Sequence, residues 1–203
     1  MRYIATVFAT FLGLAPLSTL SGQVIHWPPD TFQTITQQNF TPHQIRNQAA
    51  TVVLFMDPEC PVTQKYGATL RKLYREWQDK RVAVVAVYPV VGIDSETITE
   101  FAQDYRYNFI HLPDPQHQLA KQLQANTTPE AFLLDSLGQV RYRGAIDNWF
   151  YELGRYRRVV TEHYVQNALT AYLQGDPIVV SKTEAVGCLI GTGMVEESHH
   201  GHH

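Results

Sequence analysis

Two cysteines, Cys60 and Cys188, are all that 203 residues carry. That scarcity confines the sulfur chemistry to one pair, open to three readings: a structural disulfide, a redox couple or part of a metal site. A surplus of positive charge is missing as well, since 16 Lys and Arg against 19 Asp and Glu leave a net charge of −3. The chain therefore offers no basic footprint for nucleic acid and no polybasic patch for an anionic membrane surface. Internal repeats and long low-complexity linkers are also lacking, and the length suits one domain with a real core. With 44% hydrophobic and 17% charged residues, the composition is that of a globular protein.

A long uncharged apolar run occurs only at the N-terminus. Arg2, the apolar residues 3–17 and the small residues around Thr19-Leu20-Ser21 read as a secretory signal peptide over residues 1–22. The run is short for a transmembrane span, and no stop-transfer pattern follows it. No cysteine follows it either, so a lipoprotein anchor is not indicated. An exported protein, periplasmic or secreted and without stable membrane insertion after cleavage, is the expectation; a retained N-terminal anchor helix is the alternative. At the other end, residues 191–203 form a tail ending in His199, His200, His202 and His203. It reads as solvated and flexible, with chelation of zinc, copper or nickel as the competing reading.

Between these ends, residues 23–190 form the expected domain. Residues 51–55 and 81–88 are compact β-branched runs that read as buried strands. Residues 61–79 carry Tyr66, Leu70, Leu73, Tyr74 and Trp77 on one helical face. A short helix is expected from Thr41-Pro42 to about Asn47, and another from a Ser95 cap through Tyr105. Further expectations are a strand over 109–112, a helix from Asp114-Pro115 to about Leu123, and a hairpin of 131–134 with 140–146 around Ser136-Leu137-Gly138-Gln139. A last helix over 161–173 stops at Gly175, and 176–190 is extended. The order β-α-β-α-β-α-β-β-α implies an α/β fold with a central mixed sheet covered on both faces.

Cys60 lies between the first buried strand and the helix that follows, directly before Pro61. Proline suits the first helical position, so Cys60 falls at the N-cap, where free backbone N–H groups favour a thiolate. Asp57 and Glu59 oppose that shift by their charge. The bland reading is a half-buried structural cysteine.

The segment Phe55-Met56-Asp57-Pro58-Glu59-Cys60-Pro61, the β-α-β unit after it and Thr127-Thr128-Pro129 before a strand resemble the thioredoxin superfamily. Within it, exported redoxins of the AhpC/TSA type are the nearest likeness. Thr128-Pro129-Glu130-Ala131-Phe132-Leu133-Leu134-Asp135, Tyr142-Arg143-Gly144-Ala145-Ile146-Asp147 and Ala185-Val186-Gly187-Cys188 contribute to it. The resemblance implies a thioredoxin-like three-layer sandwich. It also implies that Cys60 is the nucleophile, and that Pro61, Thr128 and a cis Pro129 form the surface against which a substrate sulfur or extended peptide lies. Expected partners are protein thiols or disulfides or a small peroxide, with an external thiol reductant; no cofactor and no metal ligand set are implied.

Three departures narrow this. Thr63 stands where a Cys-x-x-Cys pair has its second cysteine, and Gln64 where a copper-delivery Cys-x-x-x-Cys would. Val53 and Asp57 stand where the peroxidase pattern has proline and threonine. Cys188 is then the internal partner left for Cys60, as a resolving thiol, a permanent staple or a co-ligand for copper(I). The expectation is a thiol–disulfide oxidoreductase or peroxidase-like redoxin. Its rivals are a periplasmic copper-handling protein and a disulfide-stapled module without turnover. Two side features are read as ordinary: Asp114 with His117 as a capping pair, and Arg155, Arg157 and Arg158 as solvated. Geometry is expected to leave the Cys60 sulfur partly accessible, with Pro129 in contact range and residues 176–190 folded back so that Cys188 lies close.

Overall fold

The computed structural model describes residues 32–41 and 43–191. The signal peptide assigned to 1–22, Pro42 and the histidines of the tail lie outside the described residues. In chain order the elements are β1 (Phe32–Gln33), β2 (Asn39–Phe40), α1 (His43–Arg46), β3 (Ala50–Phe55), α2 (Pro61–Lys65), α3 (Gly67–Gln78), β4 (Val82–Tyr88), α4 (Ser95–Asp104) and β5 (Ile110–Pro113). They continue with α5 (Gln118–Leu123), β6 (Thr127–Thr128), β7 (Glu130–Asp135), β8 (Val140–Gly144), β9 (Phe150–Glu152), β10 (Arg155–Tyr156), α6 (Tyr164–Gln174) and β11 (Cys188–Leu189).

The core is a five-stranded mixed sheet in the order β5-β4-β3-β7-β8. β3 pairs parallel with β4, as a helical crossover between two apolar runs requires, and antiparallel with β7. Alternation along the strands sends Val52 and Leu54 to one face and Val53 and Phe55 to the other. On the first face they join Leu70 and Trp77 of α3, Ile98 and Phe101 of α4, and Val165 and Leu169 of α6. On the second they meet Ile45 of α1 and Leu119 and Leu123 of α5. This is the mixed sheet covered on both faces that the order of elements implied, in the thioredoxin-like three-layer arrangement that the resemblance implied.

Several boundaries differ from the sequence reading. The helix expected over 61–79 is broken at Tyr66 into α2 and α3. Gly67 lies so close to the Tyr105 ring that an added methyl would overlap it, so packing against α4 fixes the break. The cap of α4 is Asp94 rather than Ser95, its carboxylate accepting from Thr97 N–H at 2.8 Å. α5 begins at Gln118, later than expected, because His117 takes a left-handed conformation (φ 57°). Asp114 still caps it, accepting from Gln118 N–H at 2.7 Å and Ala120 N–H at 3.0 Å. β8 stops at Gly144 (φ 131°), short of Ile146. The stretch 147–160 contains a small antiparallel hairpin of β9 and β10 that the sequence did not announce.

Candidate active site

Strand β3 delivers the chain to Asp57, and a local turn then aims Cys60. The Asp57 carboxylate accepts from Glu59 N–H at 2.9 Å and its carbonyl accepts from Cys60 N–H at 3.1 Å. Such side-chain turns are what an Asp before a break in a strand provides. Gln64 Nε2 donates back to Pro58 O at 2.8 Å and ties the turn to the helix it starts. Cys60 is the N-cap of α2 in an extended conformation, with Pro61 at the first helical position.

The second wall is built by β6. The Thr128–Pro129 peptide bond is cis, and the Cys60 thiol donates to Thr128 O at 3.1 Å. Glu130, buried directly after Pro129, accepts from Asn126 N–H at 2.9 Å and pairs with Arg143 at 3.0 Å. A buried carboxylate needs such partners, and these two hold β6 and β7 in place behind the sulfur.

The third wall is the returning arm. β11 pairs antiparallel with β6, Cys188 opposite Thr128 and Leu189 opposite Thr127. Thr128 Oγ1 donates to Cys188 O at 3.4 Å, and Ile190 N–H donates to Asn126 O at 2.9 Å. Gly187 is required there: a methyl at its Cα would overlap the Thr128 carbonyl oxygen. The predicted fold-back of 176–190 is therefore present, and the two thiols face one another unbonded.

Their surroundings divide the pair. Burial is the largest influence on Cys60 and pushes its thiol up, but the Cys188 thiol and the N–H groups of Thr63, Cys188 and Val62 outweigh it together. The net effect holds Cys60 below the ordinary thiol value. Cys188 is pushed up to about 12, by burial first, then by its hydrogen bond to Cys60 and by the charges of Cys60 and Asp57. The charge of Asp57 acts on Cys188. The N–H groups of the first turn of α2 supply the stabilisation that was anticipated from a long helix.

One expectation fails. Cys60 is only 1% exposed, not partly accessible. The arm is one neighbour of the enclosed sulfur: it pairs with β6, and Cys188 hydrogen-bonds to Cys60.

Among the described residues no group of three or more His, Cys, Asp or Glu side chains is placed to hold a metal ion. His117 donates through Nε2 to Pro89 O at 3.0 Å, in keeping with a structural role beside Asp114. Arg155 pairs with Glu152 at 2.9 Å, and Arg157 lies over the Tyr151 ring and donates to Asn148 O, so these two arginines are occupied within the hairpin region. Sequence reasoning missed the Glu130–Arg143 pair, the Ile190 anchor and the burial of the Thr63 hydroxyl, which has no hydrogen-bond partner among the described residues. It also missed Tyr66, whose hydroxyl donates to Asp147 at 2.6 Å behind α2. No local pattern announces any of these; each depends on which strands and helices meet.

The pattern that defines AhpC/TSA proteins matches residues 27–143. The chain belongs to the AhpC/TSA family. The arm with Cys188 lies beyond the residues that this match covers. No curated protein matches the sequence. Among solved structures, a hypothetical protein from Sinorhizobium meliloti is similar at 24% identity and a TM-score of 0.72, over 79% of this chain and 89% of that one. An uncharacterized conserved protein from Geobacillus kaustophilus is similar at 24% identity and 0.71, over 80% and 88%. A secreted Mycobacterium tuberculosis disulfide oxidoreductase shares 16% identity with a TM-score of 0.50, over 72% and 95%. These likenesses place this AhpC/TSA member in the thioredoxin-like fold.

Proposed function

We propose that this chain is an exported thiol–disulfide oxidoreductase in which Cys60 attacks and Cys188 resolves. The observation that carries the reading is the facing pair: a thiol at the start of α2, held below its ordinary value, met by a second thiol on a paired strand. The Cys60 thiolate attacks one sulfur of a protein disulfide; a Cys60–substrate bond forms, and the departing substrate sulfur takes the electron pair and then a proton. Cys188 then gives up its proton and attacks the Cys60 sulfur. A Cys60–Cys188 bond forms, the second substrate thiol leaves, and two electrons have passed to the substrate. An external thiol reductant restores the pair.

Hydroperoxide reduction is less well supported. Where the peroxidase pattern has a hydroxyl donor, Asp57 offers a carboxylate that accepts from Glu59 N–H. Val53, at the proline position, is buried in the sheet. Export rests on the reading of residues 1–22.

Insulin reduction by dithiothreitol tests the roles. Cys60→Ser is expected to abolish the acceleration given by the wild-type protein. Mixed with insulin in the absence of dithiothreitol, Cys188→Ser should retain the first step and accumulate a Cys60–insulin mixed disulfide, visible by mass spectrometry. An unchanged rate with Cys60→Ser refutes the assignment. Trapping of oxidised Cys60 by a dimedone-type reagent after peroxide, with no insulin reduction, would favour the peroxidase instead.

A further inference from the structure

The arm is stitched to the domain at two places. Beside β8, Arg143 N–H donates to Ser181 O at 3.0 Å, Thr183 N–H donates to Arg143 O at 3.0 Å, and Ala145 N–H donates to Thr183 Oγ1 at 2.9 Å. Further on, β11 lies along β6. We infer that β6 is a docking edge for an extended partner segment of the form Gly-Cys-x-aliphatic, and that residues 187–190 are its resident occupant, which the partner must displace. The inference rests on Cys60 being the attacking thiol.

Three observations support it. β6 is not part of the five-stranded sheet, and its ladder partner is the arm. Among the described residues that edge is filled by the arm alone, and such an edge is available to any segment that makes the same backbone bonds better. Second, Cys188 stands opposite Thr128, whose carbonyl accepts from the Cys60 thiol, so the arm already holds a sulfur where a substrate sulfur has to be. Cys60 is 1% exposed and Cys188 lies against its sulfur, so the docked arm stands where a macromolecular disulfide has to approach. Third, the spaces along the edge are selective. The position before the cysteine takes only glycine, since any Cβ overlaps the Thr128 carbonyl oxygen. The position after it is open, Leu189 being 85% exposed. The next position is enclosed: Ile190 is 8% exposed and belongs to the apolar cluster of Phe40, Ile45 and Phe132.

Exchange and displacement then become one cycle. With the arm lifted, Cys60 attacks the partner's disulfide, forming the Cys60–partner bond while the partner's other sulfur leaves with the electron pair. When the arm returns to β6 it expels the segment, and Cys188 attacks the Cys60 sulfur to release the partner as a thiol.

The test uses the full chain with Cys188→Ser, leaving Cys60 as its one thiol. The probes are iodoacetamide and two peptides, Ala-Val-Gly-Cys-Leu-Ile and its variant with alanine for glycine, each activated as the thionitrobenzoate disulfide. Adding Gly187→Ala, or separately Ile190→Asp, should raise Cys60 alkylation by roughly tenfold or more, the effect of about 1.4 kcal/mol lost from arm docking. In the Cys188→Ser parent and in both opened variants, the glycine peptide should release the chromophore at least about tenfold faster than the alanine peptide. Unchanged alkylation in both variants overturns the occupancy. Equal peptide rates in the parent overturn the docking edge, whatever the opened variants do. If the opened variants react with iodoacetamide no faster than an unstructured cysteine peptide, the attacking role of Cys60 itself has failed.

Discussion

Thr63 shows how one side chain defines the chemistry around Cys60. Its N–H helps to lower the Cys60 thiol while its buried hydroxyl makes no hydrogen bond among the described residues, at the position where a Cys-x-x-Cys pair has its second sulfur. In a Cys188→Ser background, Thr63→Cys is expected to restore multiple turnover in insulin reduction, because a thiol one helical turn on replaces the one the arm supplied. Persistence of the mixed disulfide in the double variant would contradict this. His111 is a second informative residue. The Tyr107 carbonyl, 3.3 Å from Nε2, has only lone pairs to offer, so Nε2 carries the proton and Nδ1 accepts from the Tyr88 hydroxyl at 2.8 Å. Burial lowers this imidazole to about 4, against a backbone bond to Tyr107 that raises it. The unfolded chain therefore binds a proton first as pH falls, and stability drops between about pH 6.5 and 4, by roughly 3 kcal/mol in total. Urea unfolding at several pH values should show that loss, and His111→Gln should flatten it.

At the level of elements, the break between α2 and α3 positions the site. A continuous helix would carry the α2 direction onward; instead Tyr66 closes one helix and opens the next, and its hydroxyl holds Asp147. Burial first, and then the Asp147 charge, push the Tyr66 phenol far above its usual range, so it is a permanent donor. Tyr66→Phe removes the side-chain donor that Asp147 shares with Trp149 N–H, and should cost about 1–3 kcal/mol in urea unfolding. Gly67→Ala places a methyl in the Tyr105 ring and should cost a similar ~1–3 kcal/mol by overpacking. Values near zero for both would mean the junction is not under the constraint described.

Over the whole molecule, two ends of the chain bear on function. The proposed export predicts that protein recovered from the secretory route has lost residues 1–22, which intact mass and N-terminal sequencing measure directly. Recovery with Met1 intact from the extracytoplasmic fraction would favour the anchor alternative. Among the described residues no helix is long and apolar enough to cross a membrane. Toward the other end, residues 187–190 lie along β6 beside Cys60, at the edge where the proposed partner would dock.

The apolar runs at 51–55 and 81–88 determined two parallel neighbours by themselves, because burial on both faces leaves continuous β-branched stretches that need no distant information. Cys60 before Pro61 likewise announced the start of a helix, since the rules for capping act within one turn. What sequence did not determine was decided by contacts between residues far apart. The enclosure of Cys60, the raised Cys188 thiol and the Glu130–Arg143 pair each depend on which segments lie against β6 and β7. The helix break at Tyr66 depends in the same way on a ring from α4's end meeting Gly67. Short-range propensity is written in neighbouring residues, whereas desolvation and steric exclusion exist only once the chain has closed upon itself.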